Sequence, residues 1–136
     1  MRLWSKDLIE VLPDKQLQGQ WRECCLIAKG LHDGTLNHLL VNKVKDYPIQ
    51  EFVEYTHRVV AEMQRRGKNP MWGRFSQYLP FEAFVPVLSK LIFDGWHNDR
   101  YLRQCYYNLQ EKYDCGGISD EEWSKIAVAC RGIQDL

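Results

Sequence analysis

Apolar side chains recur with a helical period along much of the chain. After Pro13, residues Leu17, Trp21, Cys24, Ala28 and Leu31 alternate spacings of four and three, which draws one stripe down an amphipathic helix. Asp14 stands where an N-cap belongs, and His32-Asp33-Gly34 marks the end. Ile49, Phe52, Val53, Thr56, Val59, Val60 and Met63 form a second stripe. Arg65 and Arg66 suit the negative end of that helix dipole, and Gly67 suits the position just beyond it. Asn98 or Asp99 opens a further helix carrying Leu102, Cys105, Leu109 and Tyr113, which Gly116-Gly117 end. Ser119-Asp120-Glu121-Glu122 is a capping box for a last helix bearing Trp123, Ile126, Ala127 and Cys130.

The segments between are less periodic. From Thr35 to Pro48, Leu39, Leu40, Val41 and Val44 fit a short helix or an extended segment equally. Lys68 to Tyr78 reads as a loop exposing Trp72 and Arg74, and Phe81 to Phe93 as a helical stretch that Pro86 breaks or starts. No segment alternates with the period of a strand and none repeats. The pattern predicts a single all-α domain over residues 1–136, a bundle of about four to five helices. Leu3, Trp4 and Leu8 give the N-terminal segment something to bury, so it is expected to dock on the first long helix.

Composition agrees with one folded domain: 136 residues, 45% hydrophobic and 26% charged. No apolar run reaches the about 20 residues of a membrane span, and Met1 to Asp7 lacks the core of a signal peptide, so no membrane partner and a cytoplasmic setting are expected. Five Cys without a CxxC pair and four scattered His without HExxH point to free thiols and to no metal. No cofactor is implied. The net charge of zero argues against a generic polyanion binder, but its distribution is uneven. Residues 1–75 hold twelve Lys/Arg against nine Asp/Glu, and residues 76–136 hold six against nine.

That bias brings the beginning of the chain into view. An α-amine titrates near pH 8 against about 10.4 for lysine, so about a tenth of it is neutral and nucleophilic at pH 7. Arg2 is too bulky to permit methionine removal, which leaves the amine of Met1 as the expected reactive terminus. On the first long helix, Glu23 and Gln16 share one flank of the stripe, with Arg22 and Lys29 together about 100° away. The carboxylate and the basic pair are thus expected to border the face opposite the core. Arg2, Lys6, Arg22 and Lys29 form a candidate phosphate rim, because guanidinium forks match phosphate oxygens. Arg65-Arg66-Gly67-Lys68, with Trp72 and Arg74 after it, is the densest basic run, either a nucleic-acid contact or a helix end serving its dipole. Trp4 and Trp21 are expected in the core, and His57 and His97 at helix surfaces or caps. An amine, a carboxylate and phosphate anchors together suggest imine chemistry.

Met1-Arg2-Leu3-Trp4, the Asp14…Leu17…Gln20-Trp21-Arg22-Glu23 helix, His57…Ala61-Glu62-Met63-Gln64-Arg65-Arg66-Gly67 and His97-Asn98-Asp99…Tyr101-Leu102…Asn108-Leu109…Lys112 resemble the pyrimidine-dimer DNA glycosylase family, the phage endonuclease V type. The resemblance runs in patches over most of the chain and is greatest to the family's bacterial branch. It implies an all-α fold whose N-terminal amine attacks deoxyribose C1′ of a damaged or abasic nucleotide in double-stranded DNA, with β-elimination at the 3′ phosphate. By the same resemblance Met1 supplies the amine, Glu23 is the essential glutamate, and Arg2 and Arg22 are the basic residues beside them. The chain departs from the phage pattern at Leu26, where a basic residue stands in that family, at Gln16, where histidine stands, and at Met1, where a small hydroxyl residue stands. Two other readings remain open at this point: a non-catalytic DNA-binding module on the same scaffold, and a helical protein-interaction domain.

Overall fold

A computed structural model of the chain describes residues 1–79 and 91–132. All regular structure among these residues is helical. A 3-10 helix, Lys6–Val11, leads into α1, Asp14–Asp33; a second 3-10 helix, Asn42–Asp46, precedes α2, Ile49–Arg65; a single turn, α3, Gly73–Ser76, follows; and α4, Asp99–Asp114, and α5, Asp120–Ala129, complete the order. Most of the apolar stretch expected to be helical over Phe81–Phe93 lies outside the described residues, and its described end, Leu91 to Phe93, belongs to no helix.

Local chemistry explains the boundaries. The N-cap of α1 is Pro13, with ψ 152 and no side-chain cap, so the assignment of Asp14 to that position is corrected by one residue. Asp14 opens the helix proper, and its carboxylate takes a bond from Arg66 instead. At the other end Gly34 adopts φ 71, a left-handed conformation that costs glycine little, and closes onto Gly30. A Cβ at Gly30 would stand 3.1 Å from that of Leu36, which folds back against it, a tighter contact than side chains usually make. Asn98 caps α4 through the Tyr101 amide, and Ser119 and Glu122 complete both bonds of the capping box on α5.

The helices pack so that the beginning of the chain is enclosed. α1 lies on α2 and α3, α4 on α5, and the Lys6–Val11 helix touches both α2 and α5. Buried side chains form one contiguous cluster from Leu3, Trp4 and Trp21 through Phe52 and Tyr55 to Leu109 and Ile126. Trp4 and Trp21 belong to this core, as expected. The segment read as a loop over Lys68 to Tyr78 contains α3, and Trp72, expected to be exposed, is half-buried with its ring 5.6 Å from Trp21. Coiling by one turn lets Trp72 and fully buried Phe75 meet the same α1 aromatic surface, which outweighs the weak helix propensity of Gly73-Arg74-Phe75-Ser76.

Before α4 the chain makes a tight turn. Phe93 is held at φ 55, a conformation unfavourable for a bulky side chain, while its ring is fully buried. The Glu51 carboxylate accepts its N–H at 2.7 Å, and its carbonyl accepts the N–H groups of Trp96 and His97. This turn aims His97 inward. No helix among the described residues is long and apolar enough to cross a membrane.

Candidate active site

Residues 1–5 and the start of the 3-10 helix at Lys6 run through the fold with a backbone bonded by side chains from several directions. Gln20 of α1 accepts the Trp4 N–H at 2.7 Å and donates to the Arg2 carbonyl at 3.0 Å. Tyr55 of α2 places its hydroxyl 2.6 Å from the Trp4 carbonyl and 2.9 Å from the Gln20 side-chain oxygen, sharing its proton between them. Tyr101 of α4 donates to the Leu3 carbonyl. His97 accepts the Lys6 N–H at 3.0 Å through Nδ1, satisfying an amide at the open start of the 3-10 helix. The buried N–H and carbonyl of Trp4 would otherwise lack a partner.

The electrostatics keep these bonds in place. Burial raises the Tyr55 and Tyr101 hydroxyls above the ordinary phenol range, so both remain proton donors. Burial, with Lys6 nearby, depresses His97 to about 3, so it stays neutral and its Nδ1 lone pair stays available. The cysteines around the segment are inert for the same reason, since burial raises the thiols of Cys24 and Cys105.

Glu23 stands one helical turn beyond Gln20. Its Oε2 accepts the Arg2 N–H at 3.2 Å and lies 3.4 Å from the Gln20 amide. The Arg2 nitrogen is three covalent bonds from the Met1 amine, so the carboxylate contacts the chain one residue away from the terminus. Met1 itself is 39% exposed, and among the described residues its amine forms no direct ion pair. Glu23 is half-buried beneath this segment rather than bordering the outer face of α1, a correction to the helical-wheel expectation, which had no covering chain. Arg22 and Lys29 do face outward. The Arg2 guanidinium lies 5.3 Å from the centre of the Trp4 ring and 3.9 Å from Cys105 Sγ.

The remaining basic residues fall into two groups. Arg22, Lys68 and Arg74 converge on one open cleft of about 330 Å³ with Trp21 and Met71 on its walls. Arg65 and Arg66 turn elsewhere. Both bond the buried carboxylate of Glu62, which burial alone would raise but which their hydrogen bonds and charges hold below the ordinary range. Arg66 further donates to the Leu12 carbonyl at 2.7 Å, the Asp14 carboxylate at 2.9 Å and the Glu10 carbonyl at 3.1 Å, clamping α2 to the chain before α1. Lys6 pairs with Asp7 at 3.2 Å. Gln16 has a buried side-chain oxygen without a hydrogen-bond partner among the described residues.

Sequence reasoning left the supporting roles of Gln20, Tyr55 and Tyr101 unassigned. Gln20 carried a signal, because it sits three after Leu17 and four before Cys24, squarely on an apolar stripe where an amide needs an internal partner. Tyr101 carried none, since its partner is a backbone carbonyl 98 residues away, and Tyr55 sits on the α2 stripe but bonds groups in distant segments, the Trp4 carbonyl and the Gln20 side chain. Among the described residues no group of His, Cys, Asp and Glu is placed to hold a metal ion.

A family model described as pyrimidine dimer DNA glycosylase matches residues 1–72, the segment that carries the terminus, Gln20, Arg22, Glu23 and Tyr55. None of the curated proteins and none of the solved structures matches the chain. With more than half of its 136 residues covered, the chain belongs to the pyrimidine dimer DNA glycosylase family.

Proposed function

We propose that the protein is a DNA-repair glycosylase with abasic-site lyase activity, in which the α-amine of Met1 forms an imine with C1′ of a damaged nucleotide. The observation that carries this reading is the contact of Glu23 with the peptide group of Arg2, inside a segment that Gln20, Tyr55, Tyr101 and His97 hold still. Fixing a nucleophile beside its proton-transfer group removes the orientational freedom that slows such a reaction in solution.

The chemistry follows in three steps. The neutral amine attacks C1′; the bond from C1′ to the base breaks, the base departs with a proton from the amine, and the sugar ring opens as its oxygen takes a proton that Glu23 relays from solvent, leaving a protonated imine. Loss of a proton from C2′ then sends electrons toward the imine nitrogen, and the C3′–O bond breaks with departure of the 3′ phosphate. Water finally hydrolyses the imine and frees the amine. Glu23 stabilises the cationic centre and carries protons between these positions. At an already abasic site the amine condenses with the aldehyde, losing water, and joins the same path.

Arg2 and Arg22 serve the phosphates nearest the reacting sugar. Lys29, Lys68 and Arg74 extend the cationic surface along the duplex, and Arg65 adds an exposed charge at its edge. Arg66 belongs to the scaffold in this reading. To reach a sugar carbon inside a duplex, such an enzyme must unstack the nucleotide.

Borohydride trapping tests the proposal. With abasic or ultraviolet-irradiated duplex DNA, reduction of the imine should leave a stable adduct on Met1, located by peptide mass spectrometry. Untagged protein that yields no adduct at any excess of enzyme over DNA would remove the enzymatic reading. Salt-dependent binding without an adduct would instead select a DNA-binding module.

A further inference from the structure

An apolar turn shares a groove with Tyr101, the residue that bonds the N-terminal segment at Leu3, and its internal hydrogen bonds set it apart from an ordinary surface loop. Leu39 is 88% exposed and Leu40 47%. The turn that carries them is bonded throughout: the Asn42 side chain accepts the His38 N–H at 2.9 Å, His38 accepts the Leu40 N–H through Nδ1, and the His38 carbonyl accepts from Val41 and Asn42. Val41 and Val44 are buried beneath it, and Lys45 donates to the Leu36 carbonyl across its base. Two adjacent apolar side chains are therefore presented to solvent on a hydrogen-bonded support.

The surroundings indicate a partner. Leu39 and Leu40 form one lip of a groove of about 280 Å³ floored by Trp96 and Tyr101, with Lys43 and Arg100 along it. Among the described residues no carboxylate lines it, so the groove is cationic with an aromatic floor, the combination that receives a nucleic-acid strand. It is also continuous with the site above, because Tyr101 is the residue that donates to the Leu3 carbonyl. From Leu3 to Met1 the chain reaches at most about 7 Å, two base-pair rises of about 3.4 Å each.

We propose that the His38–Asn42 turn is a wedge: Leu39, backed by Leu40, enters the base stack at the lesion and fills the space vacated by the extruded nucleotide, while Lys43 and Arg100 take flanking phosphates. The inference rests on the reading of a damaged duplex as substrate. Apolar side chains inserted at a base step unstack it and kink the helix, which lowers the barrier to extrusion.

The test uses the full chain and a duplex with an abasic site and 2-aminopurine in the opposite strand. Binding of the wild-type protein should raise the 2-aminopurine fluorescence. Leu39→Ala, at a position too exposed to affect folding, should lose most of that rise and trap the duplex about tenfold more slowly, yet trap a single-stranded abasic oligonucleotide at the wild-type rate. Leu39→Met should restore both duplex readouts. Lys43→Ala and Arg100→Ala should each reduce the salt dependence of duplex binding by about one unit of slope. If Leu39→Ala matches the wild type on the duplex in fluorescence and in rate while the wild type traps normally, the wedge is wrong and the glycosylase reading stands. If the wild type traps neither substrate, the glycosylase reading itself falls, and the wedge with it.

Discussion

Gln20 bonds Trp4 across sixteen residues at 2.7 Å and returns its amide to the Arg2 carbonyl at 3.0 Å, so one side chain of α1 grips the terminal segment on both sides of Leu3. Gln20→Leu keeps the volume and removes both bonds, leaving the buried Trp4 N–H and the Tyr55 hydroxyl short of a partner. Such a change should destabilise the fold by about 2–4 kcal/mol. Chemical denaturation measures that loss, and trapping by the still-folded protein should fall with it, since the terminus is no longer fixed.

Glu23→Gln separates chemistry from architecture. Its side-chain oxygen still accepts the Arg2 N–H, so the melting temperature should shift little. Proton transfer is lost, and single-turnover cleavage of abasic DNA should slow by about 10²–10⁴-fold with duplex affinity unchanged. A variant that cleaves at the wild-type rate would show that Glu23 is structural.

His97 ties stability to acidity. Its folded value of about 3 lies below the ordinary 6.5, so between these limits the unfolded chain binds a proton that the folded chain refuses. The contribution is complete above about pH 6.5 and is lost progressively as the pH falls toward 3, at about 1.4 kcal/mol per unit. His57, depressed to about 4 by burial, adds in the same direction. Urea midpoints measured from pH 7 to pH 4 should therefore decline, and His97→Gln should decline less steeply while starting from a lower value.

The two basic groups should respond oppositely to truncation. Arg66→Ala strips the clamp from Glu62, Leu12 and Glu10 and should cost about 2–4 kcal/mol of stability. Lys68→Ala and Arg74→Ala should leave the denaturation midpoint nearly unchanged and weaken DNA binding, each lowering the salt slope by about one. Parallel denaturation and salt titration of the three variants check both halves.

These assignments divide along what a sequence can carry. The stripes of α1, α2, α4 and α5 and the Ser119–Glu122 capping box were readable because each is encoded within a few turns of its own helix. The approach of the terminus to Glu23 was readable only as a need of Leu3, Trp4 and Leu8 to be covered. The Lys6–Val11 helix was not, since six residues complete too few turns to display a period. The two faces of Arg66 were hidden as well, because its partners include backbone carbonyls 54 and 56 residues distant, which leave no trace in residue type. Trp72 misled for a related reason: its place in an aperiodic stretch with Pro70 and Gly73 suggested a loop, while Trp21, which covers it, is far away in the chain.

The bonds that hold residues 1–6 span 91 residues between Lys6 and His97 and 98 between Leu3 and Tyr101. A ribosome working at about 5–20 residues per second therefore exposes the first turn of this protein several seconds before the partners that will enclose it exist. Throughout that interval the Leu3 carbonyl and the Lys6 N–H lack the side chains that will bond them. The full enclosure of residues 1–6 is thus among the last features of the molecule to form, and this segment must remain unclaimed by other surfaces until α4 has been synthesised.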